Sequence, residues 1–148
     1  MKQTSSFSYS NGIPRKRSLL RFVPAIAVMA LIFALSSRTG DDMNTLLPFF
    51  QTLLPNMKGF DWGHFIVYFV LAVSIDYSLG RKADRLYMKL FIIALCGIYG
   101  LTDEYHQSFV GGRTPDLKDI RNDCIGAAIA VLVIAVPVIR KRWRRWSS

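Results

Sequence analysis

The sequence holds few of the residues on which metal, redox and disulfide-bonded proteins depend. Only 2 cysteines and 2 histidines occur among its 148 residues, and neither type shows the spacing of a zinc site. The chain also has no glycine-rich phosphate loop and no internal repeat. The composition therefore excludes disulfide scaffolds, and we expect neither a cofactor nor a resident metal ion.

Charged residues are missing from four long stretches of the chain. The stretches contain 16, 14, 13 and 16 residues and lie between Arg21 and Arg38, between Asp61 and Asp76, between Lys89 and Asp103, and between Asp123 and Arg140. With the long side chains at its ends, each can approach the ~20 residues that cross a ~30 Å hydrocarbon core. The stretches are also apolar on every side, whereas a helix of a soluble bundle needs one polar face. We predict an all-α integral membrane protein with four transmembrane helices.

The predicted spans cover residues 19–37, 62–79, 86–105 and 120–139, within a single membrane domain of residues 19–139. Pro137 lies near the end of the last span, where a lost backbone hydrogen bond is tolerable. A disordered basic tail, residues 1–18, precedes the domain, and a short basic tail, residues 140–148, follows it. The first span has a second interpretation, because a basic region followed by an apolar run is also typical of a secretory signal, here with cleavage near Ser37.

The connection between the first and second spans is rich in apolar residues. Its segment of about residues 44–55 contains Pro48 and Pro55 and is too short and too broken to span a membrane. Two interpretations are open. The segment is either an interfacial element on the outer surface that covers a site beneath it, or a loop packed on the bundle.

Basic residues are distributed unevenly between the two sides of the predicted bundle. Fourteen of the 19 lie in the N-terminal tail and the entrance of the first span, in the connection between the second and third spans, and in the C-terminal tail. The positive-inside rule therefore places both termini in the cytoplasm, and near that side we expect Asp76 to pair with Arg81 or Lys82. The chain has a net charge of +9, and its excess basic residues lie next to the predicted membrane spans. We therefore expect membrane lipids and no nucleic acid among its partners.

Acidic residues are concentrated at the opposite, outer end of the bundle. Eight of the 10 fall there, although no topology rule requires acids outside. Helical spacing places His64 and Tyr68 on one face of the second span. On the next two spans polar residues follow small ones, namely Glu104 and Gln107 above Gly97 and Gly100, and Asp119 and Asn122 above Gly126. Small residues let helices approach closely, so we predict one polar cleft in the outer leaflet.

Several of these residues also have a purely structural interpretation. His64 could donate to a backbone carbonyl at the membrane interface. The carboxylates of Asp116 and Asp119 could cap the N-terminus of the fourth helix. Arg113 could pair with Glu104 or Asp119 and hold the preceding loop in place.

Two motifs resemble the VanZ-like family. Residues 61–69, DWGHFIVYF, resemble its Asp-x-x-His-x-x-x-Tyr entrance, with Trp62 where the family often has lysine, so that Lys58 is the residue that would supply the missing charge. DEYHQ at residues 103–107 is similar to the family's second motif, as are the residues that follow it, Arg113, Asp116, Asp119, Asn122 and Gly126. The resemblance implies a bacterial multi-pass protein of the cytoplasmic membrane, in a family whose founding member is associated with low-level teicoplanin resistance. It implies no established reaction.

The candidate site has ten residues. His64 and Glu104 are the candidates for acid–base catalysis. The candidate substrate-binding residues are Asp61, Tyr68, Asp103, Gln107, Arg113, Asp116, Asp119 and Asn122.

Three functions fit these residues. The first, which we favour, is an envelope factor that lowers glycopeptide susceptibility by binding a lipid-linked precursor, another lipid-like molecule or a lipoglycopeptide, with Arg113 on the polar head. The second is an intramembrane enzyme in which His64 and Glu104 exchange protons with such a molecule. A metal-bound form of it would use His64, Glu104, His106 and Asp119, although helical spacing turns His106 away from Glu104. The third is a small proton-coupled transporter, for which four spans are few unless the chain forms a homodimer.

Overall fold

The structure is a computed structural model that describes residues 19–53 and 61–147. Within these ranges it has no strands and contains six α-helices: α1 Val23–Ser36, α2 Gly40–Leu53, α3 Asp61–Leu79, α4 Leu86–Gln107, α5 Leu117–Ala135 and α6 Pro137–Ser147. Turns of 3₁₀-helix over Leu20–Phe22 and Gly80–Asp84 precede α1 and follow α3. The all-helical class is confirmed, whereas the predicted tail of residues 1–18 lies outside the described residues.

Two helical stretches are long and apolar enough to cross a membrane. They are Trp62–Asp84 and Leu86–Gln107, with mean hydropathies of 1.4 and 1.5. The pair α5 and α6 passes the same test as a third stretch, although it is bent by 94°. The apolar helix Leu20–Ser36 is shorter, at roughly 25 Å. The described part of the chain thus has two or three helices of membrane-spanning length and composition.

The bundle is apolar on its outside and partly polar within. Helix α3 packs most extensively against α5 and also contacts α1 and α4. Charged side chains such as Asp123 are fully buried between these helices. Large apolar side chains remain exposed on the helix surfaces, among them Leu90, Ile98 and Leu132 at 58%, 61% and 68%. Such a distribution suits a hydrocarbon surrounding, in which apolar surface carries no cost and polar groups turn inward.

Glycines bring the three long helices close together. A Cβ atom on Gly126 of α5 would overlap the backbone carbonyl of Phe65 in α3. A Cβ on Gly100 of α4 would overlap the carboxylate of Asp123, and Gly97 faces α5 one turn away. The prediction that these three glycines face neighbouring helices is therefore confirmed.

The end of the fourth predicted span is wrong. Helix α5 ends at Ala135, where the sequence suggested a helix that continues to residue 139. Val136, which precedes Pro137, has the extended ψ of 125° because a proline disfavours the helical conformation of the residue before it. Pro137 then takes the first position of α6, where its missing N–H costs nothing.

Because the chain bends there, α6 turns across the end of α3. The predicted ion pair of Asp76 is formed, but Arg144 of α6 is its partner where the sequence pointed to Arg81 or Lys82. Arg144 also donates to Asp84 at 3.0 Å, and the indole N–H of Trp143 donates to Asp76 at 2.8 Å. We call Asp76, Asp84, Trp143 and Arg144 the Arg144 cluster. Burial lowers the pKa of Arg144, but its two carboxylate partners outweigh burial and raise that pKa above its ordinary value.

The segment predicted to be interfacial, residues 44–55, falls largely within α2. With 14 residues, α2 is roughly 21 Å long and too short to cross the hydrocarbon core. Its first residue, Gly40, donates its backbone N–H to Gly111 at 3.2 Å. The start of α2 therefore lies against the loop between α4 and α5, at the end of the bundle that carries the candidate site.

Candidate functional site

His64 lies in the first turn of α3 and faces two carboxylates of α5. Its Nδ1 is 3.0 Å from Oδ1 of Asp123, a hydrogen-bond distance, and its Nε2 is 3.8 Å from Oδ2 of Asp119. Asp119 and Asp123 are four residues apart and so share one face of α5. A carboxylate can only accept, so with ionised Asp123 the His64 ring carries its proton on Nδ1. In the neutral ring the lone pair of Nε2 is then directed toward the Asp119 side.

Asp123 was not among the candidate site residues, yet it is the closest polar partner of His64. Its side chain is fully buried, and its Oδ2 has no hydrogen-bond partner in the part of the chain that the structure describes. The absence of a side chain at Gly100 makes room for this carboxylate. One feature of the sequence pointed to it: Asp123 is the acidic residue deepest in the fourth span and lies one turn below Asp119.

Glu104 is held in place at the end of α4. It is 4% exposed, and its Oε2 accepts the backbone N–H of Asp116 at 2.8 Å. The amide of Gln107 lies 3.4 Å from Oε1 of Glu104 and 3.1 Å from Oδ2 of Asp103. Asp116 itself caps α5, because its Oδ1 accepts the N–H of Lys118 at 2.8 Å. These hydrogen bonds therefore connect the end of α4 to the start of α5 and fix the position of the Glu104 carboxylate.

His64, Glu104 and Asp119 come together closely enough to hold an ion. One potential ligand atom from each residue lies within 4.8 Å of the others. We call these three residues with Asp123 the His64 cluster. His106 is not part of it, because its ring stacks on Phe33 with centroids 4.4 Å apart.

A small cavity of about 80 Å³ adjoins the His64 cluster. Its polar lining includes His64, Tyr68, Asp103 and Arg113, and its apolar lining includes Ile32, Leu35 and Val67. The hydroxyl of Tyr68 and the Nε of Arg113 are buried without a hydrogen-bond partner in residues 19–53 and 61–147. Both groups can donate, so the cavity wall carries unsatisfied donors beside the carboxylate of Asp103.

Two candidates, Arg113 and Asn122, have contacts that the sequence did not predict, and a third, Asp61, is not described at its side chain. Arg113 lines the cavity, and among the described residues no ion pair joins it to Glu104, one of the two partners that its structural interpretation offered. Asn122 is buried in α5 and accepts from its neighbour Arg121 at 3.2 Å. Asp61 begins α3, and its side chain lies outside the described residues.

Negative charge dominates this end of the bundle. Asp103, Glu104, Asp119 and Asp123 surround His64, and Arg113 is the basic residue of the cavity wall. Buried charges in a dry surrounding need partners. The arrangement can therefore bind a cation, hold a proton between His64 and its carboxylates, or place a polar group against Arg113.

Comparison with known families decides what kind of protein carries this arrangement. The family model described as VanZ/LLP1 matches residues 21–140, a range that includes the whole His64 cluster and the cavity. The chain belongs to the VanZ/LLP1 family. No curated protein and no solved structure matches the chain.

Membership of the VanZ/LLP1 family confirms the resemblance seen in the sequence. Within this VanZ/LLP1 fold, the two motifs meet at one end of the bundle, since His64 and Tyr68 come from the first and Glu104 and Asp119 from the second. His64 and Asp119 are 55 positions apart in the sequence and share one site, because α3 and α5 are neighbours in the bundle.

Proposed function

We propose that this VanZ/LLP1 membrane protein binds the polar head of a lipid-linked or lipid-like molecule of the bacterial envelope at the His64 end of the bundle. By doing so it lowers susceptibility to teicoplanin-type glycopeptides. The observation that carries the binding role is the small cavity with two unsatisfied donors, Tyr68 and Arg113. The resistance role rests on the family resemblance.

The chemistry of the cavity favours a ligand with acceptor oxygens. A buried donor without a partner costs about 1–3 kcal/mol, and a phosphate, carboxylate or hydroxyl oxygen would recover that cost at both Tyr68 and Arg113. The planar guanidinium of Arg113 also suits a bidentate oxyanion. The nearby carboxylates oppose an anion, so they favour a ligand that brings its own hydroxyl or amine donors.

The size of the cavity limits what enters it. At about 80 Å³ it has the volume of two to three liquid waters, taking ~30 Å³ for each. A single phosphate- or carboxylate-sized group fits this volume. The remainder of the molecule would lie along the apolar helix surfaces, where acyl or prenyl chains already surround the protein.

The same proposal includes the topology. Four crossings with both termini in the cytoplasm place the His64 end in the outer leaflet of the cytoplasmic membrane, where envelope precursors are exposed. The uneven distribution of basic residues supports this orientation.

Three substitutions test the binding role. His64→Ala, Glu104→Gln and Arg113→Lys should each weaken the resistance phenotype at near-normal membrane abundance, with Arg121→Lys and His106→Gln as matched controls. Arg113→Lys keeps the charge and removes the bidentate fork, so it separates geometry from electrostatics. Unchanged resistance in all three at normal abundance would refute a site at this end of the bundle.

An intramembrane enzyme is the second candidate, and the closeness of His64 to Glu104 favours it. Proton-transfer groups typically contribute ~10²–10⁴ in rate, so an enzyme predicts that His64→Ala and Glu104→Gln abolish turnover of a labelled lipid and retain its binding. A binder predicts no product from any variant or from the unsubstituted protein.

A further inference from the structure

We propose that His64, Glu104 and Asp119 bind one divalent transition-metal ion, such as Zn²⁺ or Mn²⁺, at the His64 end of the bundle. The three residues come from three helices, α3, α4 and α5, and their potential ligand atoms lie within 4.8 Å of one another. Sequence spacing did not favour such a site, because the ligands are far apart in the chain and helix packing alone brings them together.

The distances between the potential ligand atoms leave room for an ion between them. The Nε2 of His64 is 3.8 Å from Oδ2 of Asp119, too far for a hydrogen bond. Two ligands of a tetrahedral ion with bonds of ~2.0–2.1 Å lie about 3.3 Å apart. An ion would therefore draw these two atoms together by about half an ångström, a shift that side-chain rotation can supply.

A second observation is the hydrogen bond on the other side of the imidazole. Histidines that bind metals almost always donate their remaining ring N–H to a carboxylate or carbonyl group, which fixes the tautomer and orients the ring. Here Nδ1 of His64 is 3.0 Å from Oδ1 of Asp123, and Asp123 is fully buried. Asp123 is a positioning residue in this arrangement, because it contacts the histidine and not the ion.

A third observation comes from Tyr68. Its ring stacks on His64 with centroids 6.3 Å apart, it is fully buried, and its hydroxyl has no hydrogen-bond partner among the described residues. It lines the same cavity as His64. Three protein ligands leave at least one coordination position for water or an oxygen ligand, and the buried, unpartnered Tyr68 hydroxyl supplies a polar group to the cavity beside His64.

Charge supports the same ion. Glu104 and Asp119 are at most one-fifth exposed, and each brings a carboxylate oxygen to the place where the ligand atoms meet. A divalent ion neutralises both. Imidazole among the ligands favours a transition metal over Mg²⁺ or Ca²⁺, which prefer oxygen ligands alone.

Ion binding can be measured on the full chain without knowledge of any lipid ligand. The protein would be purified with a tag that contains no histidine, reconstituted in lipid nanodiscs, stripped with a chelator and titrated with Zn²⁺ by calorimetry. We expect about one ion per chain, weaker binding by at least tenfold in His64→Ala and Asp119→Asn, and a loss of about 10- to 100-fold in Asp123→Asn. His106→Gln, which removes the other histidine, should bind as the unsubstituted protein does.

Thermal unfolding guards against variants that fail to fold. Zn²⁺ should raise the unfolding temperature of the unsubstituted protein and of His106→Gln, and leave folded Asp119→Asn unchanged, because an ion that binds only the native state stabilises it. Absence of binding to the unsubstituted protein, or equal affinity in His64→Ala, Asp119→Asn and His106→Gln, would overturn the site. The lipid-binding proposal would survive that result, because its test reads resistance and not ion binding.

Discussion

At the scale of single residues, the site depends on which carboxylate meets which nitrogen of His64. Asp123 occupies Nδ1 at hydrogen-bond distance, whereas Asp119 stands farther from Nε2. The deeper acid thus holds the ring, and the shallower one lies beside the opposite ring nitrogen. This division of roles between two acids one helical turn apart explains why a fully buried charge is kept in an apolar bundle.

The tautomer of His64 follows from this division. In protein labelled with ¹⁵N-histidine and carrying His106→Gln to leave one signal, we expect the neutral ring of the metal-free protein to carry its proton on Nδ1 and to leave Nε2 bare. Asp123→Asn should remove this preference, because an amide can donate to the ring as well as accept from it. A spectrum with the proton on Nε2 in the metal-free protein with Asp123 intact would contradict the assignment.

At the scale of helices, the sequence predicted the elements well and their contacts poorly. The predicted ends of the second and third spans lie within two residues of the ends of α3 and α4. They could be predicted because the length of a stretch without charged residues reflects the thickness of the hydrocarbon core. The end of α5 was missed because Pro137 was taken as tolerated within a span, whereas it starts a new helix. Helical spacing found the glycine faces, since that periodicity is local to one helix.

Contacts between helices could not be predicted in the same way. Asp76 and Arg144 are 68 residues apart, and His64 and Asp123 are 59 apart. Such pairs depend on how far each helix is rotated about its axis, and in both cases a nearer or equally plausible partner existed in the sequence. The sequence therefore showed which polar residues matter, whereas their pairing could be determined only from the packed helices.

Gly126 tests the close contact between α3 and α5. Gly126→Ala places a Cβ against the backbone carbonyl of Phe65, which cannot move without shifting α3, so we expect a loss of about 1–3 kcal/mol in the free energy of unfolding. Gly63→Ala is the matched control, because a Cβ there meets nothing within 4 Å and alanine favours the helix. Thermal unfolding in detergent compares the two, and equal effects would mean that α3 and α5 do not approach as described.

At the scale of the whole molecule, two clusters of polar residues lie at opposite ends of the bundle. The His64 cluster and the Arg144 cluster both involve α3, and His64 and Asp76 are 12 residues, or about 18 Å, apart along it. Apolar core residues such as Leu71 and Ala72 lie between them. The His64 cluster is rich in carboxylates and lies beside a cavity. In the Arg144 cluster each charged side chain has a partner of opposite charge, and the ion pairs join α6 to the end of α3.

The Arg144 cluster should therefore stabilise the packing of α6 against α3. Arg144→Ala leaves the buried Asp76 without its ionic partner, and removal of one member of a buried pair typically costs about 3–5 kcal/mol. Arg145→Ala, in the exposed neighbour, should change the unfolding free energy by less than about 0.5 kcal/mol. If both variants unfold at the same temperature as the unsubstituted protein, α6 is not fastened to α3.

Orientation in the membrane decides which molecules the His64 end can meet, and it can be measured with single cysteines. In a background with Cys96→Ala and Cys124→Ala, Thr114→Cys lies in an exposed loop at the His64 end and Lys82→Cys in an exposed turn at the Arg144 end. We expect a membrane-impermeant thiol reagent to label Thr114→Cys in intact cells and Lys82→Cys only after permeabilisation, because 14 of the 19 basic residues lie on the Lys82 side. The reverse pattern would turn the cavity toward the cytoplasmic leaflet. An envelope ligand would then be out of reach, whereas the ion site, which depends only on how α3, α4 and α5 pack, would be unaffected.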